Sequence, residues 1–371
     1  MIPCIKSNIL KLVIFILIPI VFVVSCDNGE DKESPALCTD QICEETAKYN
    51  LFLANLDGSN ISVIKTDSYR DMTHARLSPD QQWIAYTIYN NLDSNSCGSP
   101  ANGYQQTEIR AVSIDGSQDK RIIAPVTGVL NSNNYWYGSS NDFTYLSGEP
   151  GSTKFYKLRV DSSMNLVSGP TEVPVPGTIT PFDPMANSNI DKIVFAGEYT
   201  DVGLVKSIFL MNLSDSGSEV GLSLGRDHSG ATIYSPNIFE NDPKISPGGD
   251  KVAFMRWVNA GTDGHGWHLF VVPIASPLSE VDISYSHLGA DMQLHDTLPE
   301  WIDNDTIVFS YMNEKTDERT LYTMKDDGSQ RTLISLPPGY LYSDVYPFKD
   351  SSDQVKLIIS VEKIEAQCIA P

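Results

Sequence analysis

One strand-and-turn pattern recurs six times along this 371-residue chain and constrains its fold more than any other feature. Each copy is a short apolar, β-branched or aromatic run that ends in turn-forming residues. The six copies are Leu51–Ser59, Glu108–Ser117, Lys154–Ser162, Ser207–Asp215, His268–Ser276 and Thr320–Ser329. Such regular recurrence predicts a repeat architecture.

A second pattern alternates with the first and also occurs six times. It is a tight turn followed by a β-rich run, in Ser78–Tyr86, Ser140–Tyr145, Asn189–Phe195, Ser246–Phe254, Asp303–Phe309 and Ser352–Ile358. No helical periodicity of useful length lies between the copies, so the strands are expected to pair antiparallel through short turns. Six such units predict an all-β, six-bladed β-propeller with four antiparallel strands in each blade.

The same residues resemble the WD-like repeats of TolB-type six-bladed propellers. The likeness is clearest from the Ser-Pro-Asp turn at Ser78 to the Asp-Gly-Ser turn at Ser117, and again in Ser246–Phe254 and Leu321–Ser329. It covers about Tyr49 to Glu362. Such motifs specify a fold and little else, so their aspartates are expected to cap turns.

The phase of the repeat predicts how the ring closes. The chain enters in mid-unit at Leu51 and leaves after Leu357–Val361, so strands from the two ends of the chain are expected to share the last blade. A clasp of this kind leaves no sheet edge exposed at the seam.

The N-terminus has the layout of a bacterial secretory signal. Lys6 and Lys11 precede an apolar run, Leu12–Val24, which is short of the ~20 residues that a membrane-spanning helix needs. The run leads into Val23-Val24-Ser25-Cys26, which resembles the lipobox, where the cysteine is diacylated and becomes the mature N-terminus. The sequence therefore predicts a signal peptide over residues 1–25, a lipidated acidic tether over 26–48 and the propeller over 49–371. The alternative is an uncleaved anchor or a plain signal peptide.

The charge balance restricts the partners and the location. Asp and Glu number 47 against 26 Lys and Arg, a net charge of -21, which repels nucleic acid and anionic membrane surfaces. No nucleic-acid partner is expected, and the membrane is reached through the lipid on Cys26. The predicted location is the bacterial cell envelope, on the periplasmic side or the outer surface, and the sequence leaves inner against outer membrane open.

The cysteines agree with export to an oxidising compartment. Once Cys4 leaves with the signal and Cys26 carries lipid, four remain, Cys38, Cys43, Cys97 and Cys368. The predicted clasp gathers all four at the seam. A bond from Cys368 to Cys38 or Cys43 is favoured, with Cys97 taking the other, while a local Cys38–Cys43 bond with Cys97–Cys368 is the alternative.

Strand direction divides the predicted loops between two rims. The tight turns share one rim, whereas the long connections, residues 90–107, 225–241, 258–267 and 286–298, share the other, where binding residues concentrate. Polar residues are expected to collect at the mouth of that rim: His74, Arg76, Tyr137, Asp183, Asp242, Asp296, Glu300 and Asp344.

These mouth residues have two interpretations. A ring of carboxylates with aromatics suits a divalent cation such as calcium, or a polar, hydroxyl-rich ligand. The alternative is that they are solvated mouth residues or hydrogen-bond partners at the strand entries, since a water-filled channel must be polar. We expect single Asp→Asn changes at Asp242, Asp296 or Asp344 to alter the free energy of unfolding by only ~0.5 kcal/mol. No other cofactor is expected, because phosphate-binding and EF-hand motifs are absent from the sequence.

Two motifs with catalytic or metal-binding spacing are interpreted as structural. Gly221–Gly225 fits G-x-S-x-G, but it falls where an outer strand belongs and no helical pattern follows it. His265 and His268 have a spacing that binds metal on a helix, whereas here they straddle a loop and the start of a strand.

The sequence supports two functions of different classes. The first is a non-enzymatic binding or scaffold lipoprotein of the envelope, whose long-loop rim binds a protein or a polar ligand such as a glycan. The second is a glycan-directed lyase or hydrolase with its site in the propeller mouth. An enzyme needs at least two convergent titratable groups about 5–10 Å apart, and the few histidines are scattered among units, which favours binding.

Overall fold

The computed structural model describes residues 42–67, 70–90, 106–137, 141–149, 152–175, 179–186, 192–199, 206–213, 215–223, 239–259, 265–288, 294–316 and 318–369. Strands dominate this part of the chain, and the helix α1 (Tyr285–Leu288) has four residues. The first twelve strands are β1 (Ile42–Asn55), β2 (Ser62–Asp67), β3 (Asp71–Leu77), β4 (Trp83–Asn90), β5 (Gln106–Ser113), β6 (Asp119–Ile123), β7 (Leu130–Tyr137), β8 (Asp142–Glu149), β9 (Ser152–Val160), β10 (Leu166–Val173), β11 (Ile179–Ala186) and β12 (Lys192–Tyr199). The remaining twelve are β13 (Lys206–Asn212), β14 (Asp215–Gly221), β15 (Glu240–Ile245), β16 (Lys251–Asn259), β17 (His265–Pro273), β18 (Val281–Asp282), β19 (Leu294–Trp301), β20 (Thr306–Asn313), β21 (Glu318–Lys325), β22 (Thr332–Leu333), β23 (Leu341–Lys349) and β24 (Val355–Ile369).

These strands form six four-stranded antiparallel sheets, which confirms the predicted six-bladed propeller. From the innermost strand outward, the blades are β3-β4-β5-β6 (blade I), β7-β8-β9-β10 (II), β11-β12-β13-β14 (III), β15-β16-β17-β18 (IV), β19-β20-β21-β22 (V) and β23-β24-β1-β2 (VI). The first strand of each blade packs against the first strands of its neighbours, so these six strands line the central channel.

The recurring aspartates cap turns, as the sequence predicts. Asp115 Oδ1 accepts from the backbone N–H of Ser117 at 3.0 Å and from its hydroxyl at 2.8 Å. Asp57 and Asp327 accept the backbone N–H of the serine two residues on in the same way. These bonds satisfy the polar groups of tight turns, which leaves the strands free to pair.

The blades hold together through apolar side chains packed between neighbouring sheets. Between blades IV and V, Trp267 and Leu269 pack with Phe309 and Met324, and all four are buried. Central strands read as nearly continuous apolar runs because both of their faces are covered, as in Trp83–Ile88 of β4. The core is therefore distributed between the blades, and the channel is left to polar residues.

The ring closes in blade VI, where β1 from the N-terminal part of the chain pairs with β24 from the C-terminal part, as predicted. Their register runs from Ile42↔Ile369 to Asn55↔Lys356. Because β2 pairs with β1 only from Tyr49 onward and β23 pairs with β24 only up to Glu362, residues 42–48 and 363–369 extend beyond the blade as a two-stranded ribbon. This ribbon begins inside the segment that the sequence predicts as a tether, and it places Cys43 directly opposite Cys368.

The predicted signal and lipid anchor lie outside the described residues. The apolar run up to Val24, the lipidation candidate Cys26, and the cysteines Cys38 and Cys97 belong to that part of the chain. Among the residues that the structure does describe, none forms a helix with the length and apolar character needed to cross a membrane.

Candidate functional site

Every innermost strand carries a β-bulge at the same place. The pairing register shifts at Thr73/Arg76, Ser132/Tyr135, Phe182/Met185, Asn241/Lys244, Thr297/Glu300 and Tyr342/Asp344. In four blades the bulge holds a non-glycine residue with a φ of 52–53°, namely His74, Asn133, Asp242 and Leu298. A bulge re-aims the side chains that follow it, and here the residue two positions on contributes to a shared polar network.

That network, the channel ring, consists of Arg76, Tyr135, Asp242, Lys244, Glu300 and Asp344. Arg76 donates to Glu300 Oε1 at 2.6 Å, to Asp344 Oδ2 at 3.3 Å and to the Tyr135 hydroxyl at 3.2 Å. Lys244 donates to the Tyr135 hydroxyl at 2.6 Å and to Asp242, and it lies 3.6 Å from Glu300. Each charged group of the ring therefore lies within 3.6 Å of an opposite charge.

The channel ring joins blades that are not neighbours. Lys244 of blade IV meets Tyr135 of blade II, and Arg76 of blade I meets Glu300 of blade V, so the contacts pass in front of blades III and VI. Arg76 is 2% exposed, Lys244 1% and Glu300 3%. At this level side chains fill the channel.

Burial and ion pairing shift the pKa values of two ring carboxyls, Glu300 and Asp344, in opposite directions. Burial raises the pKa of Glu300 to about 7, because it penalises the carboxylate more than Arg76 and Lys244 stabilise it. Burial would also raise the pKa of Asp344, but Arg76 and His74 outweigh it and lower the pKa below its usual value. Glu300 thus titrates near neutral pH, whereas Asp344 does not.

His74 and Tyr135 are held neutral beside these charges. Burial lowers the pKa of His74 to about 4, so its imidazole carries no charge at pH 7, and its Nδ1 lies 2.9 Å from the Thr73 hydroxyl. Burial also raises the pKa of Tyr135 above its ordinary value, although Lys244 and Arg76 oppose that shift. The phenol remains protonated and acts as a polar bridge between the two cations.

The raised pKa of Glu300 predicts that stability falls as pH rises. The folded protein binds this proton more tightly than the unfolded chain, so the contribution is complete below pH 4.5 and is lost as pH rises through about 7. Calorimetry between pH 5 and pH 8 should show a falling Tm, with a shallower slope for Glu300→Gln. Equal slopes for both proteins would contradict this assignment, since general charge repulsion affects them alike.

The structure brings together five of the predicted mouth residues, His74, Arg76, Asp242, Glu300 and Asp344. Tyr137 and Asp183 lie in β7 and β11, and their side chains are outside the described part. Asp296 does not join the channel ring. Its carboxylate accepts from Ser284 and His287 between blades IV and V, each at 2.6 Å.

Sequence reasoning missed Lys244 as a channel residue. The signal was available, because Lys244 follows Asp242 by two residues just as Arg76 follows His74. With Arg76, Lys244 converts the predicted ring of carboxylates into a near-neutral network.

The prediction that the mouth acids are solvated is wrong for these side chains. Asp242 is 6% exposed, Asp344 8% and Asp296 0%. Protein side chains cover them: Lys244 of the same strand pairs with Asp242, Arg76 of blade I with Asp344, and Ser284 and His287 with Asp296. Substituting them is therefore expected to cost more than ~0.5 kcal/mol, the range for surface sites.

The two motifs interpreted as structural have structural partners. Ser223 of G-x-S-x-G accepts from the Ile208 N–H at 3.0 Å and donates its hydroxyl proton to the buried carboxylate of Glu240. His268 Nδ1 lies 2.8 Å from Asp282 Oδ2. Across the described ranges, no group of three or more His, Cys, Asp or Glu side chains is arranged to hold a metal ion.

Comparison with known structures bears on the fold. The chain is similar to a TolB-like protein from Agrobacterium tumefaciens, with a TM-score of 0.54 and 14% identity over 86% of this chain and 99% of that one. Two further matches are the β-propeller domain of the trilobed protease from Pyrococcus furiosus (TM-score 0.43, 10% identity, 82% and 86% covered) and an oligogalacturonate lyase in complex with manganese (0.44, 10%, 85% and 83%).

Sequence comparisons add no relative. No family model matches the chain, and no curated protein matches it. By its architecture, the chain is a six-bladed β-propeller with a TolB-like fold.

Proposed function

We propose that this chain is a non-enzymatic binding or scaffold lipoprotein of the bacterial cell envelope, which binds a protein or a polar ligand on its long-loop rim. The observation that carries the proposal is the channel ring, in which Arg76 and Lys244 are paired with Glu300, Asp242 and Asp344. Side chains that neutralise one another while buried are typical of a structural plug. They leave the rims as the surfaces for recognition.

The two rims differ in what they offer a partner. Connections over residues 91–105, 222–239 and 283–293 begin and end on the long-loop rim, whereas the opposite rim has short turns such as those at Asp115–Ser117 and Asp350–Ser352. Long connections on a rigid scaffold supply variable side chains at little cost to the fold. This asymmetry supports the long-loop rim as the binding surface.

The alternative function is a glycan-directed lyase or hydrolase with its site in the channel. Glu300 favours it, because a pKa of about 7 suits a general acid or base at neutral pH. Its pairing with Arg76 at 2.6 Å and its burial oppose it, since a catalytic carboxyl must reach a substrate. The binding role is therefore the better supported.

Site-specific photo-cross-linking in intact envelopes tests the rim assignment. The cross-linking amino acid p-benzoyl-L-phenylalanine would replace Tyr285 or Glu314, which are exposed on the long-loop rim, and Ser117 or Ser352, which are exposed on the opposite rim as matched controls. We expect adducts from Tyr285 and Glu314 at several times the control yield. Adducts confined to Ser117 and Ser352 would overturn the proposal.

The proposed function also predicts a lipid on Cys26. Mass spectrometry of the protein from its native host should find a mature N-terminus at Cys26 with an acyl mass on it. Cys26→Ala should release a soluble exported protein, because this lipid is the proposed membrane attachment. A different mature N-terminus, or an unmodified Cys26, would remove the lipoprotein part of the proposal.

The envelope location also supports a disulfide between Cys43 and Cys368. These residues are cross-strand partners in the closing ribbon, and exported proteins are held in oxidising conditions. Cys38 and Cys97 would then pair with each other.

A further inference from the structure

A hydrogen-bond relay is repeated at two successive blade junctions. Between blades III and IV, Ser223 accepts from the Ile208 N–H and donates to Glu240. Between blades IV and V, Ser284 accepts from the Leu269 N–H at 2.9 Å and donates to Asp296 at 2.6 Å. Glu240 and Asp296 each stand two residues before the bulge residue, Asp242 or Leu298, so the two junctions are equivalent and can be compared.

The two junctions differ in whether the second oxygen of the carboxylate has a hydrogen-bond donor. Opposite Glu240 on the neighbouring strand is Arg256, which donates to Glu240 Oε1 from Nε at 2.7 Å and so satisfies the second carboxylate oxygen. Opposite Asp296 is Tyr311. In the described part of the chain Asp296 Oδ1 has no hydrogen-bond partner, although Asp296 is 0% exposed.

The groups around Asp296 Oδ1 also have unused hydrogen-bonding capacity. Arg331 Nη2 lies 3.9 Å away, an ion pair too long for a hydrogen bond, and no described residue forms a hydrogen bond with the buried Nη2 or Nε of Arg331. His287 donates from Nε2 to Asp296 Oδ2, which leaves Nδ1 as an acceptor without a donor. The guanidinium is fixed in place by stacking, with Cζ 3.5 Å from the centre of the Tyr322 ring and 5.0 Å from that of Tyr311.

This cluster reaches the surface. The side chains of Arg331 and His287 are 23% and 18% exposed, whereas that of Asp296 is 0% exposed. Among the residues that the structure describes, four buried polar atoms of this cluster have no hydrogen-bond partner, whereas buried polar groups in folded proteins are almost always hydrogen-bonded. The pattern is that of a site prepared for a ligand.

We propose that Asp296, His287 and Arg331 form a binding site for a hydroxyl-rich ligand of the saccharide class. A hydroxyl placed between Asp296 Oδ1 and Arg331 Nη2 donates to the carboxylate and accepts from the guanidinium. A neighbouring hydroxyl accepts from Arg331 Nε, and another donates to His287 Nδ1. Three neighbouring hydroxyls, as a saccharide ring carries, therefore supply the donors and acceptors that the cluster lacks.

A simple anion fits the cluster less well. Carboxylates and phosphates bind the Nε and Nη2 edge of arginine, but they would also lie against Asp296 Oδ1 and repel it. A hydroxyl avoids this repulsion because it donates to the carboxylate. The inference rests on the proposed binding function and gives it a ligand class, since α1 and the start of β19 belong to the long-loop rim.

NMR observation of arginine Nε–Hε groups in the full exported chain tests the site. The probes are D-glucose, D-galactose, D-mannose and myo-inositol, with sodium acetate and inorganic phosphate as the anion arm. We expect a saturable shift of the Arg331 signal with at least one of the first four. Arg331→Gln should weaken that binding at least tenfold, and Arg331→Lys, which keeps the charge but loses the paired edge, should do the same; because these variants lack the Arg331 signal, their affinity is measured by isothermal titration calorimetry.

The control variant is Arg159→Gln, which removes an arginine paired with Asp142 in blade II and should leave the affinity unchanged. A response to acetate or phosphate alone would overturn the saccharide assignment. No response to any probe would identify the Asp296, His287 and Arg331 cluster as a site for structural water only, and would also overturn the saccharide assignment. If the cross-linker at position 285 still gives adducts in either case, the saccharide site is ruled out while the proposed binding function stands.

Discussion

Arg76→Met is expected to lower the free energy of unfolding by about 3–5 kcal/mol, the usual cost of removing one partner from a buried ion pair. The variant leaves Glu300 and Asp344 without their guanidinium while both remain buried. Methionine keeps most of the side-chain volume, so the cost reports the lost charge rather than a cavity. Urea unfolding followed by circular dichroism measures it.

A surface ion pair provides the matched control for Arg76. Lys154 and Glu172 are 3.0 Å apart, with side chains 54% and 44% exposed, so Lys154→Met should cost no more than ~1 kcal/mol. If Arg76→Met costs as little as Lys154→Met, the channel is hydrated and the plug described above does not exist.

The proposed Cys43–Cys368 disulfide should have an effect of similar size. Its loop would span most of the propeller, and in the chain-entropy model a loop of that length stabilises the folded state by ~4 kcal/mol or more. We therefore expect Cys368→Ser to lower the stability of the exported protein substantially under oxidising conditions. Under reducing conditions the variant and the wild type should unfold at nearly the same denaturant concentration.

Non-reducing peptide mapping identifies the pairing directly. A peptide that joins Cys43 to Cys368 is the expected result. A Cys38–Cys43 peptide, or a free thiol at Cys368, would contradict the register of the closing ribbon or its oxidation. Cys97→Ser serves as the control, because it should leave the Cys43–Cys368 peptide in place.

The architecture could be predicted from the sequence because each unit repeats the same local signals. Ser78-Pro79-Asp80 and Asp115-Gly116-Ser117 specify tight turns through local hydrogen bonds, and the apolar runs between them can only be buried between neighbouring sheets. The clasp followed from the phase of the repeat. The ribbon beyond Tyr49 did not, because Glu44, Glu45 and Lys48 give that segment the composition of a solvated tether.

The candidate site was predictable only in part, since its contacts join residues distant along the chain. His74, Asp242 and Asp344 could be placed near the channel by their position in the repeat. That Arg76 pairs with Glu300 across the channel depends on the number of blades and on the bulges, which carry no sequence signal of their own. The separation of Asp296 from the ring was not predicted, because its partners Ser284 and His287 lie in the connection before β19, to which the sequence analysis assigned no contacts.

The central claim is that recognition belongs to the long-loop rim and that the channel ring is structural. The most direct measurement is the cross-linking yield from position 285 in a Glu300→Gln background, at a temperature where circular dichroism shows the variant to be folded. Glutamine keeps the shape of the side chain and removes its acid–base chemistry. The account predicts an unchanged yield and unchanged adducts. Loss of the adducts from a folded Glu300→Gln protein would contradict it and place the function in the channel.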